Sequence, residues 1–360
     1  MRIALIVYGD INSLSGGYLY DRKLLEYLQS QNEEVEIISL PNPGYLKALL
    51  NMRIPDELLN KQFDILLQDE LVHPSMVWTN KKIKKRYDCP LVSLVHLFNS
   101  SRPLSRCQKI LLRFVERNYL KSIDALILNS QNTLRQAENL LGENLPAHIV
   151  ATPCGDNFGE VNTVKLRGDA ERIRLLYVGN LIHQKGLHVL LQALEGLKKV
   201  EWVLTVVGRS ELEPNYANQQ QKFAREHGLS ERVSFIGALG SEALARVYRE
   251  HDLFIMPSVN EAYGIVYLEA MQFGLPVIGT NTGGGMEIIE NEHNGFLIEP
   301  GDHKALAAII RDLAAHPERL SQLSQQARQS YFSHPRWQDS CQSIHEFLKQ
   351  LQGNRLNRED

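Results

Sequence analysis

Short apolar runs alternate with stretches of helical periodicity along nearly the whole chain of 360 residues. Such runs are typical of strands buried on both faces, and their alternation with helices predicts an α/β fold with parallel sheets. The runs fall into two series, which predict two doubly wound domains. The first series predicts strands at Ile3–Tyr8, Val35–Leu40, Phe63–Leu67, Leu91–His96 and Asp124–Asn129. The second predicts strands at Ile173–Val178, Trp202–Val207, Val233–Ile236, Leu253–Met256, Pro276–Gly279 and Phe296–Ile298.

A segment rich in glycine, asparagine and aspartate, residues 152–172, separates the two series and is interpreted as a linker. We therefore predict a first domain over residues 1–160 and a second over residues 161–334. After Pro335, residues 335–352 have the apolar spacing of a last amphipathic helix. The polar residues 353–360 are predicted to form a flexible tail.

Composition is that of an ordinary globular protein without a membrane span. Charged residues make up 22% of the chain, and the net charge of −3 gives no overall attraction to nucleic acid. The apolar run at the N-terminus is too short for a signal peptide, and no run approaches the roughly 18 residues that a membrane span needs. The four cysteines lie far apart, which predicts reduced thiols and a cytoplasmic location.

The segment from Ser258 to Ile289 carries the clearest chemical signal. It sets two carboxylates, Glu261 and Glu269, around a turn that contains Gly264, and a helix is predicted to begin there. The free amides of a helix N-terminus favour phosphate, and carboxylates that only accept hydrogen bonds at neutral pH suit the hydroxyls of a ligand. Phosphate flanked by hydroxyl groups describes a nucleotide-sugar. The alternative for Glu269 alone is an acid on an ordinary surface helix.

Lys185 is predicted to lie in the first turn of the leucine-rich helix that starts the second half. A cation is disfavoured at this end of the helix dipole, and a bound anion would remove the objection. The alternative is a solvated lysine that the position merely tolerates.

The first half contributes candidates from the loops that follow its predicted strands, where ligands of open α/β sheets bind. Gly16 and Gly17 precede a helix and would let phosphate or sugar approach the backbone, although a tight turn uses the same residues. His96 ends the fourth strand and would point into the cleft, where it can donate to a sugar hydroxyl or accept a proton. The loop after the third strand adds Asp69, Glu70 and His73.

Residues 81–121 hold eleven Lys or Arg against two acids, an excess of nine positive charges. They include the run Lys81–Arg86 and a stripe of Arg106, Lys109, Arg113, Arg117 and Lys121, opposite Leu104, Cys107, Leu111 and Phe114. Such a helix can lie on the inner face of an anionic membrane as a peripheral contact. We favour the alternative, a helix whose apolar face is packed and whose charged face is solvated.

The sequence contains no Asp-x-Asp, HExxH or Cys/His cluster with zinc spacing. No metal site is therefore predicted, and a diphosphate would be bound by protein cations and backbone amides. The basic excess is local and lacks exposed aromatic residues between the charges, so nucleic acid is not a predicted partner.

These motifs resemble those of the retaining glycosyltransferases of family four, a GT-B group that includes glycogen and sucrose-phosphate synthases. Glu261 and Glu269 match the E-x7-E element, Tyr177–Gly186 resembles the glycine-to-KG motif, and GGGMEII takes the place of the GG-x-x-E turn. Ser15–Gly17, His96 and the helix after Trp337 also fit. The resemblance implies two Rossmann-like domains facing each other across a cleft. The first would be on the acceptor side and the second would bind the donor, with the last helix returning to the first.

The resemblance also implies roles. Glu269 would bind ribose, Lys185 the diphosphate and Glu261 the transferred sugar, so that Glu261, Lys185 and His96 are the catalytic candidates. The amides of Gly264, Ile265 and Val266 would hold phosphate and sugar, and the loop with Gly16 and Gly17 would contact the donor with His96. The family usually has an arginine where Asn180 stands, and Arg209 is a candidate substitute. Acceptor candidates are Tyr18, Tyr20, Glu70, His73 and Phe98.

The implied reaction is metal-independent front-face transfer, with retention, from a UDP-, GDP- or ADP-sugar to a saccharide, lipid or small molecule. No further cofactor is implied. An inverting transferase or nucleotide-sugar epimerase with Asp69, Glu70 or His96 as base remains an alternative. A subunit that binds the donor but transfers weakly is another, because of Asn180.

Overall fold

The computed structural model describes residues 1–13, 15–51, 53–59, 61–102, 104–159, 161 and 172–356. The chain divides into two compact units, one of Met1–Pro153 with Arg336–Asp360 and one of Cys154–Pro335. Residue 160, at the predicted domain boundary, and residues 162–171 of the predicted linker lie outside the described residues. Residues Cys154–Gly159 of that linker pack within the second unit, where a Cβ on Gly155 would lie 2.5 Å from Leu268 Cβ.

The first unit contains a parallel six-stranded sheet in the order β2-β1-β3-β4-β5-β6. The five predicted strands are confirmed within about two residues at each end. The strands are β1 Arg2–Tyr8, β2 Glu34–Leu40, β3 Ile65–Asp69, β4 Leu91–Val95, β5 Ala125–Leu128 and β6 Ala147–Val150. The helices are α1 Gly16–Ser30, α2 Tyr45–Leu49, α3 His73–Met76, α4 Asn80–Arg86, α5 Arg106–Leu120 and α6 Gln131–Leu141.

The second unit repeats the design with a parallel sheet in the order β12-β11-β10-β7-β8-β9. All six strands predicted for it are confirmed. They are β7 Ile173–Val178, β8 Trp202–Val207, β9 Val233–Gly237, β10 Leu253–Ile255, β11 Val277–Thr280 and β12 Gly295–Ile298. The helices are α7 Leu187–Glu195, α8 Pro214–Glu226, α9 Ser241–Glu250, α10 Ile265–Gln272, α11 His303–Ala315 and α12 Pro317–Ser333.

The last helix, α13, spans Trp337–Leu356 and belongs to the first unit. It continues past residue 352, where the sequence predicted its end. Residues 357–360 of the predicted tail lie outside the described residues. No helix among the described residues is both long and apolar enough to cross a bilayer.

The buried faces explain why the sequence pattern worked. Every residue of β3, β4 and β5 is buried, as expected for strands covered by helices on both faces. Strand β6 was not predicted, because its four residues at the sheet edge are exposed or half-buried and form no apolar run. The predicted α/β class is confirmed.

Helix α5 differs from its prediction. Leu111 and Phe114, expected on its packed face, are 44% and 58% exposed. The buried residues of this helix are instead Val115, Glu116, Tyr119 and Leu120. The side that was interpreted as core therefore faces outward.

Each sheet contains one point where the strand order reverses. In the first unit β1 lies between β2 and β3, and in the second β7 lies between β8 and β10. Chain connections leave such a pair of strands in opposite directions, which opens a crevice beyond their carboxyl ends. In the second unit this crevice lies between the loops that follow β7 and β10.

Candidate active site

Lys185 and Glu261 meet at the reversal point of the second sheet. Lys185 Nζ donates to Glu261 Oε2 at 2.6 Å, and Ser258 Oγ donates to the same oxygen at 3.2 Å. The two loops touch closely, since a Cβ on Gly186 would lie 2.0 Å from the Pro257 carbonyl oxygen. The predicted position of Lys185 was wrong by a few residues. It ends a short 3₁₀ turn, and Gly186, at a φ of 73°, separates it from the first residue of α7.

The triple glycine packs against the loop that carries Glu261. Gly284 N–H donates to the Glu261 carbonyl oxygen at 2.8 Å. A Cβ on Gly283 would lie 2.2 Å from that oxygen, and one on Gly284 would lie 2.4 Å from the Ala262 carbonyl oxygen. Only glycine allows this approach, so the turn holds the Glu261 backbone in place.

Helix α10 begins one residue after Gly264, as predicted. Gly264 has a φ of 102° and provides no side-chain cap for the first amides of the helix. The first amides of a helix have no partner within it, so those of Ile265 and Val266 remain available to an anion. A Cβ on Gly264 would lie 2.4 Å from Tyr267 Cδ2. Glycine is therefore required here by both conformation and space.

Glu269 is buried on α10 and is held by two residues that sequence reasoning missed. Its Oε1 accepts from Asn157 Nδ2 at 2.8 Å, and its Oε2 accepts from the Tyr248 hydroxyl at 3.1 Å. Burial raises the pKa of Glu269 to about 7, although both hydrogen bonds lower it. The expectation that this carboxylate is fully ionised at neutral pH was therefore wrong. The raised pKa makes its charge sensitive to small pH changes.

Asn180 and Arg209 follow the neighbouring strands β7 and β8. Leu181 N–H donates to the Arg209 carbonyl oxygen at 2.8 Å, which brings the two loops side by side. A Cβ on Gly208 would lie 1.9 Å from the Gly179 carbonyl oxygen, so the loops are in backbone contact. Arg209 is exposed and Asn180 is half-buried. That Arg209 replaces the missing arginine remains a prediction.

In the first unit, Gly17 and His96 are neighbours. Helix α1 begins at Gly16, and a Cβ on Gly17 would lie 3.2 Å from His96 Cδ2. His96 Nε2 lies 3.0 Å from Asp21 Oδ1, and the His96 backbone N–H donates to Glu70 Oε2 at 2.8 Å. The His96 and Tyr20 rings also meet in a T-shaped contact, with their centroids 5.2 Å apart. Asp21 was not predicted, because one acid within an amphipathic helix carries no functional signal of its own.

Three buried carboxyl groups surround His96. Burial raises the pKa of Asp21 to about 7, that of Glu70 to about 8 and that of Asp69 well above its usual range. The nearby charge of Asp21 raises the pKa of Asp69 further. At neutral pH the cluster therefore keeps protons that isolated carboxylates would lose.

The same cluster is the one place among the described residues that could hold a metal ion. One ligand atom from each of Asp21, Asp69 and His96 lies within 4.8 Å of the others. Asp21 Oδ2 and Asp69 Oδ2 are buried oxygens to which no other described group donates. Shared protons satisfy such a pair as well as a cation does. This cluster is therefore a candidate metal site in a protein for which the sequence predicted none.

The acceptor candidates of the first unit are engaged within it. His73 is buried, with Nδ1 2.7 Å from the Glu70 carbonyl oxygen and Nε2 3.0 Å from the Tyr45 hydroxyl. Burial lowers the pKa of His73 to about 4, so the ring is neutral at physiological pH. The Tyr18 hydroxyl donates to the Tyr8 carbonyl oxygen at 2.6 Å. A role in acceptor binding remains a prediction for both.

Residues 160–330 match the family model described as glycosyl transferases group 1. The chain is 28% identical over 273 residues to a glycogen synthase of Mycobacterium tuberculosis, covering 74% of this chain and 64% of the relative. It is 32% identical over 254 residues to a D-inositol 3-phosphate glycosyltransferase of Corynebacterium jeikeium, covering 66% of this chain and 60% of the relative. The chain thus spans less than two thirds of the length of these relatives.

Solved structures share the fold over almost the whole chain. A sucrose-phosphate synthase of Thermosynechococcus elongatus superposes with a TM-score of 0.79 at 22% identity, covering 97% of this chain and 98% of the other. Anabaena HepE, solved in complex with UDP-glucose, gives 0.75 at 20% identity, covering 97% of this chain and all of the other. These likenesses confirm the predicted GT-B fold of two Rossmann-like domains.

Proposed function

We propose that the protein moves a sugar from a nucleotide-diphosphate sugar to an acceptor hydroxyl. The premise is that residues 160–330 of this chain belong to the group 1 glycosyl transferases. The observation that carries the proposal is the pairing of Lys185 with Glu261 beside the uncapped N-terminus of α10. One cation, several free amides and two carboxylates at one strand reversal suit a ligand with phosphate in the middle and hydroxyl groups at both ends.

In this proposal the diphosphate binds the amides at the start of α10 and the Lys185 ammonium. Lys185 now neutralises Glu261, so an incoming diphosphate would share the ammonium and leave Glu261 available to sugar hydroxyls. Glu269, at the other end, would accept hydrogen bonds from ribose. Asn157 and Tyr248 already hold its carboxylate in place, so little reorganisation is needed on binding.

We propose retention through a front-face reaction. The bond between the anomeric carbon and the phosphate oxygen breaks, and the acceptor oxygen forms its bond to that carbon on the same face. The acceptor proton passes to the departing phosphate oxygen. Lys185 and the α10 amides stabilise the charge that develops on the leaving group, so orientation and charge stabilisation provide the catalysis.

The inverting alternative needs a general base, and burial makes Asp69 and Glu70 poorly suited to that role, which leaves His96 as its candidate. Burial raises the pKa of Glu70 to about 8, so this carboxyl group is largely protonated at neutral pH, and burial raises the pKa of Asp69 as well. NMR of the anomeric centre in the product distinguishes retention from inversion. A weakly active donor-binding subunit would bind nucleotide yet release no sugar from any donor.

The donor is proposed to carry UDP, GDP or ADP, and no metal or further cofactor is part of the proposal. Anabaena HepE was solved with UDP-glucose, which makes UDP the first nucleotide to test. The acceptor is a saccharide, a lipid or a small molecule. Peripheral contact with an anionic membrane through residues 81–121, on the cytoplasmic side, completes the proposed partners.

A thermal-shift panel of UDP, GDP and ADP, each with and without a chelator, tests the proposal. Ligands that bind only the folded state raise its melting temperature. We expect one nucleotide to stabilise the protein selectively, and equally with chelator present. Glu269→Ala should lose this shift, whereas Glu261→Ala should keep much of it and lose turnover of the nucleotide-sugar. Unaltered shifts in both variants, or no shift with any nucleotide, would overturn the proposal.

A further inference from the structure

Helix α5 presents an uncovered apolar surface to the outside of the first unit. Ile110 is 61% exposed, Leu111 44% and Phe114 58%. Their spacing of one, three and four residues places them together on one side of the helix. The opposite side, with Val115 and Tyr119, is buried in the unit. We call the surface formed by Ile110, Leu111 and Phe114 the apolar strip.

A basic edge runs alongside the apolar strip. Arg106, Arg113 and Arg117 are exposed and follow one another at helical spacing beside it. Within the described part of the chain, no ion pair involves any of the three arginines, and Arg113 Nη2 donates to the Asn139 carbonyl oxygen at 3.3 Å. The one acid of α5, Glu116, is buried, and its Oε1 accepts from the Ser100 backbone N–H. The outward side of α5 thus combines apolar and positive surface without a negative group.

We infer that α5 is the element that binds an anionic phospholipid surface, with the apolar strip inserted among the lipids and the basic edge on the headgroup phosphates. Helices with one apolar and one basic side lie in the plane of the membrane interface in this way. Each basic side chain near an anionic surface strengthens partitioning by about fivefold. The apolar strip adds affinity that does not depend on salt.

Charge favours this occupant over a second copy of the chain. Helix α5 offers no exposed acid to the basic edge of a second copy, and an isologous interface with antiparallel α5 helices would set the two basic edges side by side, which costs energy. An anionic lipid surface neutralises the same arginines. If the protein is a glycosyltransferase as proposed, a membrane-bound helix in the first unit favours an acceptor that is itself a lipid or lipid-linked. That consequence rests on the proposed function, whereas the docking of α5 does not.

Vesicle co-sedimentation of the full-length protein tests the inference. The vesicles would be phosphatidylcholine alone or phosphatidylcholine with about one third phosphatidylglycerol, each at low and high salt. Two triple variants change the surface of α5 without changing buried residues. The serine variant combines Ile110→Ser, Leu111→Ser and Phe114→Ser. The glutamate variant combines Arg106→Glu, Arg113→Glu and Arg117→Glu. Each variant has a control in the second unit. Phe332→Ser is the control for the serine variant, because the Phe332 side chain is 58% exposed, as is that of Phe114. A combination of Lys198→Glu, Lys199→Glu and Lys304→Glu, at three exposed positions, is the control for the glutamate variant.

We expect the wild type and both controls to bind the anionic vesicles, more weakly at high salt. The serine variant should lose about tenfold or more in partitioning and the glutamate variant more than that. No binding of the wild type, or full binding by the serine variant, would overturn the inference. The inference would also be overturned if the wild type formed dimers without vesicles and the serine variant did not. The same holds if the protein bound an oligonucleotide in a salt-sensitive way and did not bind vesicles. The nucleotide-induced thermal shift is measured on the same variants, so a failure of vesicle binding with the shift intact removes the membrane contact and leaves the proposed sugar transfer standing.

Discussion

Glu269 ties the proposed nucleotide affinity to pH. Its pKa of about 7 means that the carboxylate, the form that accepts from ribose hydroxyls, grows from roughly a tenth of the population at pH 6 to roughly nine tenths at pH 8. We therefore expect the dissociation constant of the bound nucleoside to fall by about tenfold over this range, measured by calorimetry. The nucleoside is used without phosphates, because these titrate nearby.

Glu269→Gln keeps the shape of the side chain and cannot titrate. It should bind the nucleoside weakly, with an affinity that stays constant between pH 6 and pH 8. Glu261→Gln is the matched control and should keep the wild-type pH profile. The same profile in Glu269→Gln as in the wild type would show that another group titrates.

Asp21 is predicted to act as a positioning residue for His96. Its Oδ1 lies 3.0 Å from His96 Nε2, and this hydrogen bond holds the imidazole ring in one orientation. Asp21→Asn should lower the rate of donor hydrolysis without acceptor by about tenfold to a hundredfold, with little change in donor KM. Tyr20→Phe is the control, since it keeps the ring against His96 and removes the hydroxyl that donates to the Ala151 carbonyl oxygen. Equal losses in both variants would indicate a general packing defect.

At the scale of elements, the turn at Gly264, immediately before α10, combines backbone strain with close packing. Gly264→Ala would put a Cβ 2.4 Å from Tyr267 Cδ2 at a φ of 102°. We expect a loss of about 2 kcal/mol or more in the free energy of unfolding, and weaker nucleotide binding because the first amides of α10 shift. The measurements are urea unfolding and the thermal shift with nucleotide.

Gly228→Ala provides the matched control for that prediction. Gly228 also has a positive φ, 71°, but a Cβ there would meet nothing within 4 Å. It should cost only about 1 kcal/mol, the price of the left-handed backbone, and leave nucleotide binding unchanged. Equal losses in the two variants would mean that the contact with Tyr267 does not matter.

Most strands could be predicted from the sequence, whereas one edge strand and the packing of α5 could not. Eleven strands were predictable, because each contains an apolar run; most of them are buried, whereas β2 and β9 at the sheet edges are largely exposed or half-buried. Strand β6 was not, since its four residues, Ala-His-Ile-Val, are too few and too interrupted to stand out as an apolar run. The apolar side of α5 was misread because periodicity reveals an apolar stripe but not whether anything covers it.

The candidate site shows the same limit. Motifs in the sequence named Glu261, Glu269, Lys185 and His96 as candidate residues. The partners Asn157, Tyr248 and Asp21 were not named, because the fold brings them close across 112, 21 and 75 positions of the sequence respectively.

At the scale of the whole molecule, buried carboxyl groups should make stability fall as pH rises. Asp21, Asp69, Glu70 and Glu269 all have raised pKa values, so these four groups bind more protons in the folded chain than in the unfolded chain between about pH 4 and pH 8. Buried histidines with lowered pKa values, His73 above all, oppose this effect below about pH 6.5, but the shifts of the carboxyl groups extend to higher pH. The protonated folded state is thus favoured below about pH 4, and this stabilisation is lost as pH rises through about 8. We expect the free energy of unfolding to drop by about 3 kcal/mol or more between pH 5 and pH 8, measured by urea titration.

Glu70→Gln isolates one part of this effect. Its amide oxygen can still accept from the His96 backbone N–H, and it has no charge to bury, so the stability of the variant should depend less steeply on pH than that of the wild type. Glu231→Gln, the same change at an exposed position, should leave the slope unaltered. The two units can unfold separately, so the unfolding of each is measured in its own single-tryptophan variant. Fluorescence of Trp337 reports on the first unit and fluorescence of Trp202 on the second. A wild-type stability that rises from pH 5 to pH 8 in the first unit would mean that the carboxyl cluster around His96 is ionised and compensated, by a cation among other groups, and not protonated.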